Sequence, residues 1–486
     1  MIKLNNPDLL RDRAFMHGEW CSAGSGNTLN VEDPATGEVI GSVPDCDSTD
    51  TGLAIDSAAA AFDDWRSRTA AERSAVLERW HTLVLENQVD LGRILTAEQG
   101  KPLAEAEGEI RYAASFIKWF AEEGKRVYGH SVPAPERDRC IWTIQEPVGV
   151  SVAITPWNFP AAMITRKCAP ALAAGCPILV KPSELTPLTA LALARLAELS
   201  GVPAGVFSVI TGKAKDIGGE MTSNPLVRKL SFTGSTKIGS LLIRQCAETV
   251  KRMSMELGGN GPLLVFDDAD IELAVASTVA SKFRNAGQTC VSVNRIIVHN
   301  KVYDQFAERL VAAVRIMKVG IGTDPGVTIG PLINRAAVYK VRSHLDDAVN
   351  LGAELAGVTE CTLDKDRYVA PVVLTEASPD MLLSNEETFG PVAPLFRFDD
   401  EDEAITLANA TPYGLASYFY TESLHRAFRV AKKLEAGMVA LNTGSIAMEM
   451  AAFGGIKQSG FGREGGKEGI EEYLEKKAFH IGNLKE

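Results

Sequence analysis

The sequence predicts an α/β protein built on mostly parallel sheets, and three observations lead there. Between residues 150 and 248, short apolar runs alternate with helix-patterned segments, which is the rhythm of βαβ units. Beyond the Gly258-Gly259 pair the same rhythm resumes around apolar runs at 262–265, 294–298 and 392–398. The residues before 130 carry helical periodicity instead, so helices outnumber strands in the opening third.

Taken in order, residues 17–44 read as short strands and turns, punctuated by Gly-Glu-Trp and Asp-Pro-Ala-Thr-Gly-Glu. Residues 51–87 read as helix, rich in Ala, Leu, Glu and Arg. A second helical run covers 90–100, and a third follows Pro102 to about Gly129. This third of the chain shows no catalytic signature. Residues 139–150 read as an exposed ribbon or edge strand, a surface for a partner. Strands are expected at 150–154, 177–181, 206–211 and 227–233, with helices from near Pro160, over 187–200 and over 236–248. A domain boundary is expected near Gly258. The stretch 465–486 reads as a short charged helix and a last strand.

A chain of 486 residues is too long for one simple core, so two or more domains are expected. The formal charge of -12 argues against nucleic-acid binding as the main role, while leaving room for a small anionic substrate held by local arginines. Residues 1–20 lack the basic start and apolar core of a secretory signal, and no apolar run reaches membrane-spanning length. The eight cysteines form no CxxC pair, which suits free thiols in the cytoplasm. The seven histidines are isolated, so no metal site is expected.

Chemistry concentrates in Arg284-Asn-Ala-Gly-Gln-Thr-Cys290. A thiolate is the strongest side-chain nucleophile, and Gly287 allows a tight turn beside it. A lone cysteine is ordinarily a buried structural thiol, so the neighbouring motifs decide. Ligands of parallel sheets sit at the carboxyl ends of the strands. Those ends carry Trp157-Asn158, then Lys181-Pro-Ser-Glu184, then Gly234-Ser235-Thr236. The last is a turn at a helix start, suited to a phosphate or to plain N-capping. No GxGxxG follows any strand, so the usual dinucleotide fingerprint is absent.

Cys290 in Gly-Gln-Thr-Cys, Glu256 in Glu-Leu-Gly-Gly-Asn and Asn158 in Pro-Trp-Asn-Phe-Pro together resemble the aldehyde dehydrogenase superfamily. Glu386-Glu-Thr-Phe-Gly-Pro391, Phe453-Gly-Gly455 and Lys457-Gln-Ser-Gly460 extend the resemblance over the whole chain. It implies a Rossmann-type NAD-binding domain from 1–124 and 148–258, and a catalytic domain from 259–459. A small β oligomerisation ribbon from 125–147 with the tail 460–486 would make a homodimer or homotetramer. By the same resemblance Cys290 attacks the aldehyde, and Asn158 and the Cys290 N–H hold the oxyanion. Hydride passes to the nicotinamide, and Glu256 activates the water that hydrolyses the thioester. Gly234 and Ser235 would meet the pyrophosphate, with Trp157 in the wall. Lys181 and Glu184 would clamp the adenosine ribose. Glu387 would hold the nicotinamide ribose beside Phe389. A carboxylate at 184 repels a 2′-phosphate, so NAD is expected over NADP.

Within the superfamily, residues 161–167, 281–285 and 328–332 are most similar to succinate-semialdehyde dehydrogenases. That subfamily grips the distal carboxylate with two arginines, here Arg166 and Arg284, and paired guanidinium groups suit such an anion. It also uses a serine hydroxyl where this chain has Ala447. Glutarate semialdehyde, or an aldehyde ending in sulfonate or phosphonate such as sulfolactaldehyde, is therefore the alternative to succinate semialdehyde. Ser292 stands where many members carry a second cysteine, so no local disulfide switch is expected. Glu256 argues against a CoA-acylating enzyme, and the intact Cys290, Glu256 and Asn158 argue against a catalytically silent protein of the same fold.

Overall fold

A computed structural model describes residues 2–484. Two large sheets organise it. The first has eight strands, in the order Gly460–Phe461, Arg252–Glu256, Val227–Thr233, Val150–Ile154, Ile178–Lys181, Phe207–Val209, Ala14–Met16 and Glu19–Cys21. Its five central strands are parallel and its edges antiparallel. Helices such as Ala162–Ala174 and Leu188–Leu199 complete the crossovers, and the interior strands are buried on both faces, as parallel strands covered by helices must be.

The second sheet has seven strands, ordered Glu354–Val358, Val372–Thr375, Val392–Phe398, Val293–His299, Gly261–Val265, Ala416–Tyr420 and Met438–Leu441. Every pairing in it is parallel except the first. It has its own hydrophobic core around Leu263, Ile296 and Leu395.

Three details differ from the sequence reading. The helical run 51–87 is two helices, Ser48–Ser67 and Ala70–Glu86, because Thr69 leaves the helix and forms a capping box with Glu72. The stretch 139–150 is not an edge. Its strand Cys140–Pro147 is the middle of three, flanked by His130–Val132 and Leu474–Ile481. Arg252–Glu256 is a strand that no apolar run announced, because Arg252, Ser254 and Glu256 alternate with two methionines.

That last strand matters most for the site. Its pairing sets Glu256 beside Thr233 on one neighbour and Gly460 on the other. Gly234, one residue further along, donates its N–H to the Glu256 carbonyl at 3.0 Å. The carboxyl ends of three adjacent strands thus deliver Asn158, the Gly234-Ser235 turn and Glu256 to one place.

Candidate active site

Cys290 arrives from the other sheet, on the loop before Val293–His299. The loop takes an uncommon path. Asn285, Ala286 and Gly287 all have positive φ, at 51°, 53° and 75°. A Cβ on Gly287 would lie 2.2 Å from the Gly390 carbonyl, so only glycine fits there. Asn285 tolerates the left-handed region, whereas Ala286 is strained in it. The frame that holds this path is polar and buried. The Asn158 amide donates to the Gln288 carbonyl at 3.0 Å, and the Asn285 amide donates to the Asn158 carbonyl at 2.9 Å.

Cys290 sits between two cavities. One, of about 280 Å³, is lined by Trp157, Asn158, Gly234, Ser235, Glu387 and Phe389 among others. Trp157 and Phe389 meet edge to face, with ring centroids 5.6 Å apart. Ser235 caps the helix Thr236–Cys246, whose N-terminus opens at the cavity and favours an anion. Glu387 accepts the Gly259 N–H at 3.2 Å, and burial pushes its carboxyl up to about 7. A helix N-terminus for phosphate, a carboxylate for ribose hydroxyls and aromatic walls for a flat ring fit a nicotinamide dinucleotide. Lys181 and Glu184 lie outside this cavity, at the end of the neighbouring strand. They pair at 2.8 Å, and Glu184 also accepts the Ala214 N–H at 2.6 Å.

The other cavity is a narrow pocket lined by Tyr112, Phe159, Met163, Arg166, Arg284, Ala447 and Phe453, and by Cys290. Arg284 and Ala447 also line a wider chamber of about 480 Å³, with Ser277, Ser281 and Ser445. Arg284 lies over the Phe159 ring at 5.1 Å. Arg166 is fully buried, pairs with Glu464 at 2.8 Å and lies 4.0 Å over Phe453. Its Nη2 has no partner. Both sequence-predicted arginines therefore reach the pocket, Arg166 with part of its charge committed to Glu464.

Glu256 is buried, and neither carboxylate oxygen has a hydrogen-bond partner. Burial, then the nearby Glu464 charge, hold its carboxyl well above the usual carboxylate range, while Arg166 and Lys167 oppose the rise. Burial and the Glu387 charge likewise push the Cys290 thiol up to about 12, with Arg166 and Arg284 pulling down. Among the charged groups that act on this thiol, Glu256 is the unpartnered carboxylate, and its surroundings favour its taking up a proton.

The sequence reading missed the groups that brace this site. Lys167 bonds Glu464 and, at 2.5 Å, Thr233. Lys101 and Glu109, from the stretch read as lacking any catalytic signature, lie directly beneath Asn158. The available signal was Gln99-Gly-Lys101-Pro with Glu105 and Glu109 one and two turns on: charges on a helix face that turns inward.

The model of the aldehyde dehydrogenase family matches residues 20–479. The chain is 55% identical to 3-sulfolactaldehyde dehydrogenase of Pseudomonas putida, over 100% of both chains. It is 55% identical to a glutarate-semialdehyde dehydrogenase of Pseudomonas putida, over 98% of both. It is also 55% identical to the NADP(+) succinate-semialdehyde dehydrogenase of Escherichia coli, over 99% of this chain and 100% of that one. Among solved structures, succinate-semialdehyde dehydrogenase from Burkholderia pseudomallei superposes with a TM-score of 0.97 at 56% identity, over 99% of this chain and 100% of that one. No described helix is long and apolar enough to cross a membrane.

Proposed function

The chain belongs to the aldehyde dehydrogenase family of oxidoreductases, and we propose that it oxidises an aldehyde with an anionic far end, succinate semialdehyde first among them. The observation that carries this reading is the position of Cys290. It lies between a cavity fit for a dinucleotide and a pocket that holds two arginines.

In this mechanism Arg166 and Arg284 draw the substrate's anion into the pocket, so the aldehyde carbon meets the sulfur. Cys290 adds to the carbonyl, and its proton passes to Glu256. The oxyanion takes hydrogen bonds from the Asn158 amide and the Cys290 backbone N–H. NAD(P), when bound, supplies the hydride acceptor. Its pyrophosphate would rest on Gly234 and Ser235, and its nicotinamide ribose on Glu387. Trp157 and Phe389 would wall the ring, which keeps water from the adduct. Glu256 releases that proton to solvent and then takes one from the water that attacks the Cys290 thioester; the proton passes back to the departing sulfur, and the carboxylic acid leaves.

NAD is the preferred form. Lys181 is already paired with Glu184, and a 2′-phosphate would have to break that pair and face the carboxylate. A second reading of the substrate rests on Ala447. With a methyl group in the pocket wall, glutarate semialdehyde or a sulfonate-bearing aldehyde gains room that a serine would take up. The exposed Trp142, Ile144 and Phe479 on the three-stranded sheet support a homodimer or homotetramer, and the free cysteines suit the cytoplasm. NADH formation with succinate semialdehyde, glutarate semialdehyde and sulfolactaldehyde tests the reading. A kcat/KM for succinate semialdehyde at or above the others supports it, and a value far below either moves the assignment to that substrate.

A further inference from the structure

The opening third of the chain reaches under the active site through one side chain. Lys101 is fully buried, between the helices Gln88–Gln99 and Leu103–Glu123. Its ammonium donates to Glu109 at 2.6 Å and to the backbone carbonyl of Asn158 at 2.8 Å, and it stands 3.9 Å over the Phe159 ring. The other oxygen of Glu109 accepts the N–H groups of Ala161 and Ala162 at 2.9 and 3.3 Å. The helix Ala162–Ala174 has no side-chain cap of its own, so Glu109 supplies one from a distant segment. The Asn158 carbonyl has a second donor, the Asn285 amide. Gln99 bonds the Asn285 side chain at 2.9 Å, and Glu105 accepts its backbone N–H at 2.8 Å.

A buried ion pair is costly to desolvate and is weak support for stability as such. Here both ions point at the same few peptide groups, those that set the direction of Asn158. One amide hydrogen of Asn158 is spent on the Gln288 carbonyl, so the second reaches an oxyanion only if the backbone is held in register. We propose that Lys101 is a positioning residue for oxyanion stabilisation, acting through the Asn158 carbonyl. This rests on Asn158 being the oxyanion donor.

The test is a double-mutant cycle on the rate of the first turnover, read as the NADH burst. Asn158→Ala should slow it by roughly 10²- to 10³-fold. Lys101→Met should slow it by roughly 10- to 100-fold, the scale of a misplaced catalytic group. The double variant should be no slower than Asn158→Ala alone, because both remove the same interaction. NAD affinity and the rate of Cys290 alkylation by iodoacetamide should stay at wild-type values in Lys101→Met. Losses that multiply in the double variant, or a fall in NAD affinity to match, would overturn the proposal. An unchanged burst in Asn158→Ala would instead remove the oxyanion assignment beneath it. If Lys101→Met does not fold, Glu109→Gln takes its place in the cycle. It keeps an acceptor for Ala161 and Ala162 but turns an amide toward the ammonium, and the same non-additivity is expected.

Discussion

On one side of Cys290 the wall is made of turns at strand ends: Trp157-Asn158 after Val150–Ile154, Gly234-Ser235 after Val227–Thr233, Glu387 and Phe389 before Val392–Phe398. On the other side it is made of side chains drawn one by one from separate helices and loops, with Tyr112, Arg166, Arg284, Ala447 and Phe453 in one pocket. The first kind of wall presents backbone N–H groups and fixed turns, and it suits a cofactor whose shape does not vary. The second changes with single substitutions, and it suits a substrate that differs between relatives. Three proteins at 55% identity carry three different substrate names, which fits that division.

The sharpest way to break the comparison is Arg284→Ala. Loss of a charged hydrogen bond of about 2–3 kcal/mol should lower kcat/KM for an anionic aldehyde by roughly 30- to 150-fold. A neutral aldehyde of similar length and the KM for NAD should barely respond. Equal losses for both aldehydes would show that Arg284 supports the loop rather than reads the anion. On the cofactor side, Glu184→Gln should move the ratio of NAD to NADP efficiency toward NADP by roughly tenfold, since Lys181 is released. Steady-state rates with the two cofactors check it, and an unchanged ratio would remove Glu184 from cofactor selection.

How much of this was legible beforehand divides along the same line. Cys290, Glu256, Asn158, Glu387 and Phe389 each sit inside a short contiguous motif. The bracing residues do not. Lys101 meets Asn158 across 57 residues, and Lys167 meets Glu464 across 297. In a helical run their charges look like a solvated face, because nothing local says that the helix is covered. Arg252–Glu256 was hidden for a related reason. A strand whose alternate residues are polar announces itself only through its neighbours.

Two smaller effects sharpen the picture. Glu464 raises the Glu256 carboxyl by its charge, so Glu464→Gln should lower it and make the base available in more acidic solution. The acid limb of the kcat profile should shift to lower pH, and a shift upward would contradict the electrostatic reading. Ala447→Ser should restore one neutral hydrogen bond to a short carboxylate, raising kcat/KM for succinate semialdehyde by only about two- to tenfold. The longer or sulfonated aldehydes should lose by a similar factor, and a parallel change in all three would show that position 447 does not sort substrates.

The most direct test of the covalent route is single turnover of Glu256→Gln with NAD and succinate semialdehyde, followed by mass analysis of the peptide that holds Cys290. With the nucleophile at Cys290 and the hydrolytic base removed, one equivalent of NADH should form, more slowly than in the wild type because Glu256 also takes the Cys290 proton, and turnover should then stall. The Cys290 peptide should carry the acyl group. A burst without an adduct on Cys290, or an adduct on another cysteine, would contradict the assignment of Cys290 as the nucleophile between the two cavities.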